Sequence, residues 1–93
     1  MHPVEIIWDE VKNETLRLQR GIGFEEIADI IFNESYLDIL ENPTRAEQLY
    51  FILAVRDYTW VVPFLIDEED RIVLKTAFPS RKYQKIYGGE SSE

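Results

Sequence analysis

No cysteine occurs in the 93 residues, which excludes disulfides, thiolate metal sites and thiol nucleophiles together. Histidine is almost as scarce: the single one, His2, adjoins the N-terminal Met and reads as an unstructured end rather than a base or ligand. Long apolar runs are missing too. The longest nearly uncharged stretch, Tyr58 to Ile66, is far too short to span a bilayer, and Met1-His2-Pro3 lacks the basic and apolar regions of a secretory leader. A cytoplasmic protein with no membrane contact is expected. There is no Walker loop, GxSxG, HExxH or CxxC. The acidic run Asp67-Glu68-Glu69-Asp70 has no second cluster to complete a metal site and reads as a solvated turn, so neither metal nor other cofactor is expected.

Positive charge is the other shortage. Ten Lys and Arg stand against eighteen Asp and Glu, a net charge of −8, and such a balance opposes phosphate binding. Its distribution does not. Residues 1–70 hold five basic and sixteen acidic side chains, net −11, whereas Arg71, Lys75, Arg81, Lys82 and Lys85 follow with no acid among them from Arg71 to Lys85.

What is present suffices for one core. The chain is 45% hydrophobic, with five Phe, five Tyr and two Trp, and Trp8 and Trp60 read as core residues. We expect a single α+β domain over 1–89 and a frayed tail over 90–93. Val4 to Trp8 reads as a short strand. Asp9 suits an N-cap for a helix ending at Arg20, with Val11, Thr15 and Leu18 as its inner face and Gly21 as its stop. A second helix carries Phe24, Ile27, Ala28 and Ile31 on one face and ends at Asn33-Glu34-Ser35. Tyr36 to Leu40 can form a brief strand.

From Gln48 the period becomes two, giving strands near Gln48 to Val55, Thr59 to Ile66 and Arg71 to Ala77. Their short turns, Arg56-Asp57-Tyr58 and Asp67 to Asp70, predict an antiparallel meander. Pro63 predicts a bulge or an unpaired side within the middle strand. Pro79-Ser80 interrupts the last strand and caps a short helix that Gly88-Gly89 ends. The predicted architecture is a strand, two helices, then a mainly antiparallel sheet of three or four strands and a short C-terminal helix.

Alternation in the last strand puts Arg71, Val73 and Lys75 on one face and Ile72, Leu74 and Thr76 toward the core. Arg81 and Lys85 are then helix neighbours, with Lys82 on an adjacent face. This segment reads either as a solvated face balanced by Asp67 to Asp70 or as a phosphate site. Like charges held together against their own repulsion shift the balance toward the second. Tyr83 and Tyr87 either stack an unpaired base or pack the helix onto the sheet, and their helical spacing favours packing.

The opening Trp8-Asp9-Glu10-Val11-Lys12-Asn13 resembles the W-D-x-x-K-N start of BrnT-type toxins, the ribonuclease partners of bacterial and archaeal toxin–antitoxin pairs. Leu18-Gln19-Arg20-Gly21-Ile22-Gly23-Phe24-Glu25-Glu26-Ile27-Ala28 is similar to that family's L-x-K-H-G-V/I-x-F-E-E-A pattern. Ile72-Val73-Leu74-Lys75-Thr76 and Ser80-Arg81-Lys82 are similar to its final strand and the basic turn opening its last helix. From Asn33 to Asp70 the match is of pattern only. The chain departs at Gln19-Arg20-Gly21, where the family has K-H-G, and in Pro79 and its acidic net charge.

The resemblance implies a RelE-like α+β toxin fold and metal-independent cleavage of an RNA substrate. It also implies neutralisation by a cognate antitoxin, commonly a ribbon-helix-helix DNA-binding protein, so that DNA is met only through the antitoxin. Under that implication Arg81 would clamp phosphate, Lys75 and Lys82 would stabilise charge and move a proton, and Arg20, Arg71, Lys85 and Tyr83 would contact RNA. The alternative is a non-catalytic interaction domain that binds an antitoxin or acidic partner through the same patch.

Overall fold

The computed structural model describes residues 5–88; the expectations for Val4, His2, Gly89 and the 90–93 tail fall outside them. Strand β1 (Ile6–Trp8) leads into helices α1 (Glu10–Arg20) and α2 (Phe24–Phe32). Strands β2 (Asp38–Glu41), β3 (Leu49–Val55), β4 (Tyr58–Ile66), β5 (Ile72–Leu74) and β6 (Phe78–Pro79) follow. The short helix α3 (Arg81–Tyr83) widens into a π turn over Gln84–Gly88. This is the expected α+β class with a larger sheet.

Local chemistry sets the helix ends. The Asp9 carboxylate accepts from the Val11 N–H at 2.8 Å, satisfying a first-turn donor that has no partner inside the helix. Gly21 closes α1 with φ +72°, a left-handed conformation that costs glycine nothing. The inner face of α1 is not the expected one. Val11 and Leu18 are 75% and 80% exposed, whereas Leu16 and Asn13 are buried. With so few apolar residues in the helix, a buried amide rather than an apolar stripe decides its rotation. Asn13 Oδ1 accepts from the Phe24 N–H at 2.7 Å and its Nδ2 donates to Glu25 Oε2 at 2.9 Å. Helix α2 does use its predicted face: Phe24, Ile27 and Ile31 are buried.

The sheet order is β1-β5-β4-β3-β2, with β6 paired to β4. Strands β2 through β5 are antiparallel neighbours, as the meander requires. Strand β1 pairs parallel to β5, with Ile6 opposite Ile72 and Trp8 opposite Leu74. The β3–β4 turn is tighter than expected: Arg56 and Asp57 alone form it, with φ of 53° and 66°, the two-residue turn whose twist matches that of the strands. Tyr58 joins β4 opposite Val55.

Pro63 keeps its register with Tyr50. Its carbonyl accepts from the Lys75 N–H at 2.9 Å, so its missing donor lies on that same side. There the neighbouring strand breaks. Phe64 pairs with Leu74 and Val61 with Phe78, leaving residues 75–77 opposite Val62 and Pro63, a one-residue bulge. The bulge inverts the alternation beyond Leu74: Ala77 is buried and Thr76 exposed, contrary to the expectation that Thr76 faces the core.

One face of the sheet packs against α1 and α2. Phe51, Leu53, Val62, Phe64 and Leu74 meet Leu16, Ile22, Phe24, Ile27 and Ile31 there. Phe51 and Phe64 stack with centroids 4.1 Å apart, and Trp8 lies 5.9 Å from Phe24. Each such fully buried side chain contributes about 1.5–3 kcal/mol of transfer free energy.

Candidate nucleic-acid interface

Ile52 and Val61 are completely buried, yet alternation turns them away from the helices. What covers them is the C-terminal segment. The Ser80 N–H donates to the Thr59 carbonyl at 3.0 Å, and Ser80 Oγ accepts from the Tyr83 N–H at 3.2 Å, capping α3. One turn on, Gln84 Oε1 accepts from both the N–H and the hydroxyl of Thr59, at 2.9 and 2.7 Å. Further along, the Tyr87 hydroxyl donates to Asp38 Oδ2 at 2.7 Å. That bond, with partial burial and the carboxylate's charge, holds the Tyr87 phenol above its ordinary pKa. The segment is thus fastened to β4 and to the outer strand β2, and a π turn, frequent at functional sites, lies between.

This segment presents a row of free cations. Arg81, Lys82 and Lys85 are exposed, and none forms an ion pair among the described residues. Lys82 Nζ lies 5.2 Å from the centroid of the Tyr83 ring, a cation–π contact, and Tyr83 and Tyr87 have centroids 6.2 Å apart. Lys75 is half-buried at the bulge. Its carbonyl accepts from Lys12 Nζ at 3.4 Å, which brings a cation of α1 beside it.

Arg71 stands apart. Its Nε donates to Asp67 Oδ2 at 2.8 Å and its Nη1 lies 3.6 Å from Glu69 Oε1. The Arg71 backbone N–H, followed by its guanidinium, holds the Asp67 carboxyl below the usual carboxylate range, and the pairing raises Arg71 above its own. The acidic turn therefore balances Arg71, not the helix cations. Ser80 meets Thr59 at one end of β4 while Arg71 closes the turn at the other, about 25 Å away at the rise of a strand. Arg20 ends α1 beside Gly21, whose carbonyl accepts from Arg56 Nη1 at 2.8 Å. That places Arg20 at the same end of the sheet as Ser80 but on the helix side.

Beside the C-terminal segment opens a cleft of about 400 Å³, lined by Leu37, Ala54, Asp57, Tyr58, Thr59, Gln84, Tyr87 and Gly88. A Cβ at Gly88 would crowd the Gln84 side-chain amide that accepts from Thr59. No group of His, Asp and Glu side chains among the described residues is arranged to hold a metal, and no described helix is long and apolar enough to cross a membrane. The roles of Gln84 and Asp38 are invisible to spacing, because both depend on elements that meet only in the fold. Tyr87 did carry a signal: its helical spacing from Tyr83 pointed to packing on the sheet.

The opening motif proves architectural. Trp8 packs on Phe24 and donates from Nε1 to Glu10 Oε2 at 3.0 Å, Asp9 caps α1, Lys12 reaches the Lys75 carbonyl and Asn13 anchors α2.

No protein-family model matches the chain, and no curated protein does so by sequence. A solved structure matches in fold: the 1.1 Å crystal structure of the Brucella abortus ribonuclease toxin BrnT, with a TM-score of 0.63, 27% sequence identity, and coverage of 83% of this chain and 96% of that one.

Proposed function

We propose that this chain, a BrnT-like protein by fold and by its opening motif, is the toxin of a toxin–antitoxin pair and an endoribonuclease that uses no metal. The supporting observation is the row Arg81, Lys82 and Lys85, unpaired among the described residues, on a segment fastened to the sheet at Thr59 and Asp38. Without a metal, the RNA's own 2′-OH attacks the adjacent phosphorus and loses its proton. The bond to the 5′ oxygen breaks, that oxygen gains a proton, and a 2′,3′-cyclic phosphate remains. The protein must align the strand, stabilise the phosphorane and move two protons.

Arg81 suits the clamp, because a guanidinium can hold two phosphate oxygens at once. Lys75 and Lys82 stabilise charge, and one of them delivers the proton to the departing oxygen. Lys85 and Tyr83 extend the contact along the strand, and Arg20 meets RNA from the helix side. Arg71, held by Asp67 and Glu69 at the far turn, closes that turn instead. A cognate antitoxin, of the ribbon-helix-helix kind, would cover the cationic row and carry the pair to DNA.

Expression of the chain arrests growth, and Arg81→Ala relieves the arrest; equal toxicity of the two overturns the assignment. Arg20, standing where the family pattern has His, favours a second reading: a toxin-like domain that binds an antitoxin without cutting. Purified protein that leaves single-stranded RNA intact even at low salt, yet holds the neighbouring gene's product, selects that reading.

A further inference from the structure

The cleft beside the C-terminal segment has the makings of a base pocket. Ala54 makes the room, a methyl on the face of β3 where the next residue along, Ile52, is large. Leu37, 44% exposed, adds a second apolar surface, and Tyr58 stands 36% exposed. The Tyr87 ring is held in place by its hydroxyl bond to Asp38. Apolar surface between two aromatic side chains is what an unstacked base exchanges for its neighbours in a strand, and each base so stacked gains roughly 1–3 kcal/mol.

Asp57 brings a carboxylate to the cleft. It lies in the tight β3–β4 turn with φ 66°, lines the cleft, and its carboxylate has no hydrogen-bond or ion-pair partner among the described residues. An ionised carboxylate only accepts, so it suits a base edge that offers two adjacent donors. Guanine does so, with N1–H and N2–H. A carboxylate at the rim also repels phosphate, which leaves the backbone to Arg81 and Lys85. Arg81 precedes Gln84 by three residues, placing phosphate and base sites about one helical turn, roughly 5 Å along the axis, apart.

We infer that this cleft takes one unpaired base of the RNA substrate and that Asp57 selects guanine there. The inference rests on the proposed action on RNA, and two measurements separate its failure from that of the proposal. In the first, Arg81→Ala protein is titrated with guanosine and with adenosine while its amide resonances are followed. Guanosine shifts Ala54, Tyr58 and Thr59, adenosine shifts them less, and Ala54→Leu, which fills the cleft, abolishes both responses. Guanosine shifts in a chain that never cuts RNA would keep the pocket and remove the enzyme. Absence of shifts with either nucleoside overturns the pocket, including the case in which only a purified antitoxin moves these residues.

The second measurement compares cleavage of oligonucleotides that differ at one position beside the cut. Guanine is favoured by about 10- to 100-fold in kcat/KM, the span of one well-made base contact, and Asp57→Asn brings the guanine-to-adenine ratio close to one. An unchanged ratio overturns the role of Asp57.

Discussion

Asn13 joins two helices through a single amide. It is fully buried, with its oxygen on the Phe24 N–H and its nitrogen on Glu25. A helix N-terminus leaves donors unpaired, and this amide satisfies one at the start of α2 from another element. Asn13→Ala strands a buried donor and opens a small void, so the loss should be about 1–3 kcal/mol. Urea denaturation of the two proteins measures it as a lower midpoint at unchanged slope. Asn13 was legible as part of a motif but not as a core residue. Periodicity counts apolar residues, and α1 turns its buried side inward by hydrogen bonding instead.

At the scale of elements, the β4–β5 turn carries a pH dependence of known sign. Backbone N–H groups and the Arg71 guanidinium hold the folded Asp67 carboxyl below its ordinary value. A depressed carboxyl contributes stability that is complete above the unfolded pKa of about 3.9 and is lost as pH falls through the folded value. Asp67→Asn lacks that contribution, so the difference in stability between wild type and variant should grow as pH rises through the folded value toward about 3.9 and stay level above about pH 5. Denaturant midpoints across that range test it. A difference that is flat throughout would mean that the ionised Asp67 carboxylate contributes nothing to holding the turn.

The strands at this scale were read well from alternation, because hairpin partners are close in sequence. The bulge at 75–77 was legible only as a disturbance near Pro63. A missing donor says that pairing fails on one side, but which strand absorbs the extra residue depends on where Phe78 and Leu74 are held.

For the whole molecule, the least legible feature was the parallel pairing of β1 with β5. It joins residues more than sixty positions apart, and no local pattern encodes such a contact. The same long-range geometry divides the basic stretch that composition singled out. Arg71 faces its own acidic turn, while Arg81, Lys82 and Lys85 stand at the other end, on a body whose first seventy residues carry a net −11. RNA held by the proposed interface therefore depends on a few cations against a repelling background, so its affinity must be modest and fall with salt only as those few contacts dictate.

For single strands the slope of log K against log salt is about −0.7 per neutralised phosphate, so Arg81, Lys82 and Lys85 together contribute about −2 to the slope, beside what Lys75 and Arg20 add. Lys82→Ala and Lys85→Ala should each flatten it by about 0.7, read by fluorescence anisotropy of a labelled single-stranded RNA that the protein cannot cut, its 2′-OH groups methylated. Arg71→Ala should leave the slope unchanged while weakening the fold. A flattening by Arg71→Ala equal to that of Lys82→Ala would mean that RNA runs the full length of β4, and would restore Arg71 to the interface.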